Sequence, residues 1–221
     1  MKIELKNVSL RFDDKPDLLR DVNLTIEKGD FLLIRGPSGC GKTSLLRLLN
    51  RLADPVGGEI LFDGQLSEDD EVTSLRRRIA YVQQTPVMLE GNVRENLLFG
   101  SLFRSAGDVR PDDAKLRTRM NSLLLDDVGL DDVASNLSVG QQQRVALIRS
   151  ILTGPDVLLC DEPASALDPD SAGLVEESIE DMCANDRVSV VMVTHGTYQP
   201  EKVVYRVFEI QQGEGLMEVA S

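Results

Sequence analysis

Tryptophan is absent from the 221 residues, histidine occurs once (His195), cysteine three times (Cys40, Cys160, Cys183), and aromatics make up only 4% of the chain. The cysteines form no C-x-x-C or Cys/His cluster, which excludes a disulfide framework and a structural zinc site and predicts reduced thiols in a cytosolic protein. Basic residues are in deficit too: 24 Lys+Arg against 37 Asp+Glu leave a net charge of −13. Gripping nucleic acid needs clustered cations against phosphate, and adhesion to anionic lipid needs the same, so neither is the expected task. The longest stretch free of Asp, Glu, Lys and Arg, Val188 to Pro200, ends in polar residues. It falls short of the ~20 apolar residues of a membrane-spanning helix. The opening MKIELKNVSLRF lacks the apolar segment of a signal peptide. What is present is a globular composition, 42% hydrophobic. Its length suits one domain of roughly 200–250 residues.

Apolar spacing gives the organisation. Ile3, Leu5, Val8, Leu10 and Phe12, then Val22, Leu24 and Ile26, recur at a period near two and predict two half-buried strands around the turn-prone Asp13–Asp17. Phe31–Ile34 and Val157–Cys160 are short continuous apolar runs, as strands buried on both faces of a parallel sheet are. Glu59–Phe62, Ile79–Val82 and Val188–Val193 read as further strands, Val203–Ile210 with Leu216–Val219 as a closing hairpin, and Ser171–Cys183 as a helix. Glu68–Glu71 predicts an exposed acidic loop. From Thr85 to about Leu152 helical signals replace strand signals, with a polar break around Ser105–Asp113. The expectation is a parallel-sheet α/β core interrupted by one helical insertion.

Three segments carry chemistry. Gly36-Pro37-Ser38-Gly39-Cys40-Gly41-Lys42-Thr43 fits G-x-x-x-x-G-K-[ST], with a strand before it and a helix after it. Phosphate oxygens need many donors at close range, and such a loop supplies backbone N–H groups, a lysine charge and a hydroxyl for Mg²⁺. Cys40 stands at a variable position of the pattern, and no role is read into its side chain. Val157–Cys160 delivers Asp161 and Glu162 to a strand end, where α/β sheets place ligands. Asp161 suits a metal held through water, and Glu162 suits orienting or deprotonating an attacking water. Ser138 with Gln141 forms a capping box for a helix continued by Val145, Ile148 and Leu152. That start is also an anion site.

The third segment carries a resemblance. Leu137-Ser138-Val139-Gly140-Gln141-Gln142-Gln143-Arg144 resembles the signature of ABC-type ATPases, with Val139 where a glycine is usual. The resemblance implies a P-loop NTPase (RecA-like) core with an antiparallel β subdomain and an inserted α-helical subdomain. Residues 1–84 and 153–221 would form the ATP-binding core and 85–152 the helical part. It implies ATP and Mg²⁺ as ligands. Gly36 to Thr43 and Ser44 would bind nucleotide, and Phe12 would stack on adenine. Thr43, Gln84 and Asp161 would serve the metal, with Gln84 fitting the Q-loop position better than Gln83. Lys42, Gln84, Glu162 and His195 would be the catalytic set. Ser138, Val139, Gly140 and Gln141 would serve the nucleotide of a partner chain, and Asp168, in Ser165–Asp168, the subunit contact.

The implied function is that of an ATP-hydrolysing subunit working as a homodimer on an integral membrane permease, at the cytoplasmic face of the cell membrane. The segment Gln84–Leu98 resembles small stand-alone ATPases of bacterial exporters, including iron exporters. The alternative is a soluble ABC ATPase acting on nucleic acid or ribosomes. It would carry a long coiled-coil insertion or a second such domain, and a charge of −13 has the wrong sign for it.

Overall fold

Four successive apolar residues, Phe31 to Ile34, are each buried almost completely, and they feed two different cores. Leu32 and Ile34 join one, Phe31 and Leu33 the other, because successive side chains of a strand point to opposite faces. β3 (Phe31–Arg35) is therefore a central strand covered on both sides. β7 (Val157–Asp161) and β8 (Ser189–Val193) divide their side chains in the same way. The computed structural model describes residues 1–11, 17–66, 72–103, 110–194, 198–211, 213 and 215–219.

A six-stranded sheet runs in the order β10–β9–β3–β8–β7–β6, with β6 at Ile79–Val82, β9 at Tyr205–Ile210 and β10 at Leu216–Val219. Five strands are parallel, and β10 closes the edge antiparallel to β9. The second sheet is antiparallel, β2 (Leu19–Ile26), β1 (Ile3–Leu10), β4 (Gly57–Phe62) and β5 (Gln65–Leu66) in spatial order. The first core lies between the two sheets and includes Leu45, Leu46, Leu48 and Leu49 of α1 (Lys42–Leu49). The second covers the opposite face of the parallel sheet. It draws on α3 (Val93–Leu98), α4 (Asp113–Asn121), α5 (Val139–Ile151) and α6 (Pro169–Asp186).

This is the expected α/β architecture, with an antiparallel sheet beside a parallel one and helices α3 to α5 between β6 and β7. The elements differ in detail. β4 starts at Gly57, two residues before the expected Glu59, because pairing with β1 reaches Ser9. α6 runs on to Asp186, past Cys183, where Arg187 at φ 55 stops it. The short helix α2 (Val72–Arg78) went unforeseen, since Leu75 is the single side chain it buries. Phe12, the acidic loop Glu68–Glu71 and His195 lie outside the described residues.

One backbone crossing fixes the antiparallel sheet. The β1–β4 register shifts between Lys6 and Ser9, around Asn7 at φ 50. Gly58 faces that irregularity at φ +79, and a Cβ there would lie 2.3 Å from the Asn7 carbonyl oxygen. Gly58→Ala should lower unfolding stability by about 1–3 kcal/mol, the usual cost of a strained site. At Gly57 the added methyl meets nothing within 4 Å, so Gly57→Ala should stay within about 0.5 kcal/mol of the parent. Urea unfolding of the two variants checks the pair.

Candidate functional site

The glycine-rich loop joins β3 to α1 and is shaped by what lies behind it. A Cβ on Gly36 would stand 2.5 Å from the Ile210 carbonyl oxygen and 2.8 Å from Cys40 Sγ, so the backbone passes where no side chain fits. Cys40 itself is 1% exposed and packs into the first core, turned away from any ligand. Pro37, Ser38 and Gly39 are exposed, while Gly41, Lys42 and Ser44 are buried. Gly41 caps α1 in a left-handed conformation, φ 112, with no side-chain hydrogen bond to the first turn. The amides at that helix start, and the positive end of its dipole, are left for an anion. Lys42 Nζ donates to the carbonyl oxygens of Gly36 and Pro37, both at 2.9 Å. Those two bonds satisfy part of the ammonium and none of its charge; a third proton remains for a ligand oxygen.

Five side chains from three separate parts of the chain meet beside this loop. Thr43 Oγ1 donates to Asp161 Oδ2 at 2.8 Å, and the Tyr81 hydroxyl donates to the same oxygen at 3.0 Å. Gln84 Nε2 donates to Glu162 Oε2 at 2.8 Å. Of the two adjacent glutamines, Gln84 sends its side chain to Glu162, while Gln83 offers its carbonyl oxygen to Gln143 Nε2 at 3.2 Å. Asp161 is 4% exposed. Glu162 has left-handed backbone, φ 50, unusual for a residue with a side chain. Its N–H donates to the Val193 carbonyl at 3.0 Å, and its carbonyl accepts from Ser165 N at 3.2 Å and Oγ at 3.0 Å, which hold that conformation.

Tyr81 is the residue that sequence reasoning missed. Tyr81 pairs with Leu159 in the β6–β7 register, and Asp161 lies two residues beyond Leu159, on the same face. The alternation was visible in the sequence; the register between distant strands was not. Burial, and then the Asp161 carboxylate, push the Tyr81 hydroxyl well above the ordinary tyrosine range, so it remains a donor.

The segment Ser138–Gln141 opens α5 at a different place. Ser138 Oγ accepts from Gln141 N at 3.2 Å, Gln141 Oε1 accepts from Ser138 N at 3.0 Å, and Gln141 Nε2 donates to Asp127 Oδ2 at 3.2 Å. Among the described residues, no hydrogen bond joins this segment to Gly36–Ser44. Val139 is 57% exposed. Behind it a Cβ on Gly140 would come within 3.2 Å of Leu167 Cδ2, so the helix start packs on the loop that leads to α6. In that loop Asp168 caps α6, accepting from Ser171 N at 3.1 Å. The same contact holds its carboxyl below the usual range.

The ABC transporter family model matches residues 19–165, well over half of the chain. The chain belongs to the ABC transporter family. It is 39% identical over 222 residues to the phosphate import ATP-binding protein PstB of Pseudoalteromonas translucida, covering 96% of this chain and 80% of that one. It is 36% identical over 214 residues to protein STAR1 of Oryza sativa subsp. japonica, covering 96% of this chain and 61% of that protein's length. A dimeric post-hydrolysis structure of the ATP-binding cassette MJ0796 bound to ADP and Pi superimposes with a TM-score of 0.81 at 28% identity, covering 99% of both chains. The two sheets and inserted helices are accordingly the P-loop NTPase core of an ABC cassette. ATP is its ligand, and ATP hydrolysis its reaction.

The cap at the start of α5 can be tested by stability alone. Ser138→Ala removes the acceptor for the Gln141 amide and should cost about 0.5–2 kcal/mol, as lost N-caps do. Ser138→Asn, which restores an acceptor, should recover most of it in thermal unfolding.

Proposed function

We propose that the chain is the motor subunit of a transporter whose membrane-spanning permease is a separate protein. Two copies enclose two ATP molecules, each site built from one copy's phosphate loop and the other's signature. The observation that carries this reading is the meeting of Thr43, Asp161, Gln84 and Glu162 beside an uncapped helix start. In this reading the backbone N–H groups that Gly36 to Ser44 offer, Pro37 having none, and the Lys42 ammonium hold the phosphates. Phe12 stacks on adenine and His195 contacts the γ-phosphate. Gln84 fixes the Glu162 carboxylate, which takes the proton of the attacking water.

The hydroxyl of Thr43 is a hard oxygen donor of the kind Mg²⁺ prefers, and the carboxylate of Asp161 would hold the ion through water, with phosphate oxygens as further ligands. No cluster of three His, Cys, Asp or Glu gathers among the described residues, and such a shared site needs none. When bound, Mg²⁺ would neutralise part of the phosphate charge. Thr43 uses its proton on Asp161 and keeps its lone pairs for that site.

Dimerisation fits the separation of the signature from the chain's own loop, and the MJ0796 cassette is dimeric. Ser138 accepts from Gln141 and keeps its hydroxyl proton, so it can donate to a partner's phosphate; Gly140 supplies an amide. Asp168 lies along the subunit contact. Residues 85–152 form the helical subdomain that meets the permease, and with no helix long and apolar enough to cross a membrane among the described residues, the chain docks at the inner face. A charge of −13 counts against nucleic acid as the partner.

Lys42→Ala should weaken nucleotide binding, and Glu162→Gln should keep binding while lowering turnover by about 10²–10⁴, the range for a positioned base. Parent-like turnover in Glu162→Gln would remove Glu162 from the role of base. The shared site is tested by mixing. Neither Lys42→Ala nor Ser138→Arg chains should hydrolyse ATP alone, whereas their mixture restores one intact site per dimer and partial activity. Normal hydrolysis by the Ser138→Arg chain alone would sink the composite arrangement.

A further inference from the structure

We infer that Tyr81 is a positioning residue for the cation end of the ATP site, an assignment that rests on the ATP–Mg²⁺ reading above. Two hydroxyl groups converge on one carboxylate oxygen: Thr43 Oγ1 at 2.8 Å and the Tyr81 hydroxyl at 3.0 Å, both on Asp161 Oδ2. They approach from different elements, α1 and β6, and so lock the carboxylate against rotation about its last bond. No described residue donates to Oδ1, the oxygen this lock leaves for the cation's water.

The phenol is placed as a donor rather than as a ring that happens to lie nearby: its ring packs against the first core while its hydroxyl reaches the polar edge, so ring and hydroxyl have separate tasks. In the ATP–Mg²⁺ reading Thr43 has a second task at the cation, whereas Tyr81 has none. The tyrosine therefore holds Asp161 in place whether or not nucleotide is bound. Partners of this kind orient the groups that meet a metal, and removing one costs roughly 10–100-fold in metal affinity.

The test separates the cation from the nucleotide. Binding of a fluorescent, non-hydrolysable ATP analogue is measured in EDTA and across a Mg²⁺ titration for the parent, Tyr81→Phe, Asp161→Asn and the double variant. Phe keeps the ring in the core. Tyr81→Phe should bind the analogue in EDTA like the parent, while the Mg²⁺ concentration giving half of the Mg²⁺-dependent gain rises roughly 10-fold. In the Asp161→Asn background the same change should add nothing, because the phenol acts through that carboxylate. A Mg²⁺ midpoint in Tyr81→Phe within about twofold of the parent, against the 10–100-fold expected, would overturn the assignment and leave the wider reading intact. An equal loss in EDTA and Mg²⁺ would also overturn it, showing a distorted pocket. A parent with no Mg²⁺-dependent gain would bring down the cation site and Tyr81 together.

Discussion

The bond from Thr43 to Asp161, 2.8 Å long, joins residues 118 positions apart, and the rest of the site depends on it. It forms only if the helix after β3 lies over the end of β7, which requires β3, β8 and β7 to be parallel neighbours in that order. A hydrogen bond to a charged group contributes about 1.5–3 kcal/mol and cannot impose such an arrangement. The two apolar cores impose it. They bury side chains from both faces of the parallel strands, and the polar meeting at the strand ends is where that packing stops.

A protein of net charge −13 that binds a polyanion looks self-defeating until distances are considered. Surface charges more than about 8 Å away are largely screened at physiological ionic strength. In the proposed site the ligand would meet a local environment: a helix start without a side-chain cap, and a buried lysine held by carbonyls instead of a carboxylate. The acidic side chains of the site are tied to hydroxyl and amide partners. Net charge excludes classes of partner; it does not describe the pocket.

Much of this was legible in the sequence, for identifiable reasons. The strand–loop–helix order around Gly36–Thr43 follows from a continuous apolar run, then glycines, then leucines at helical spacing, all signals local in sequence. The capping box of Ser138 and Gln141 is equally local and appears as read. What stayed hidden is relational. Tyr81 looked like one more strand residue, since its partner is fixed by the β6–β7 register. The burial of Cys40 beneath Gly36 depends on how the loop folds back on itself. α2 escaped because one buried leucine sets no periodicity.

The start of α5 carries an asymmetry between two adjacent residues. Val139 projects into solvent, 57% exposed, while a Cβ on its neighbour Gly140 would sit 3.2 Å from Leu167 Cδ2, so a side chain there needs Leu167 to shift. Within a single chain the first position is open and the second is tight. A change at position 139 therefore alters a surface, and a change at position 140 alters how the helix start seats on the loop before α6. Two adjacent residues thus bear on different things, one on what the helix meets outside the chain and one on its packing within it.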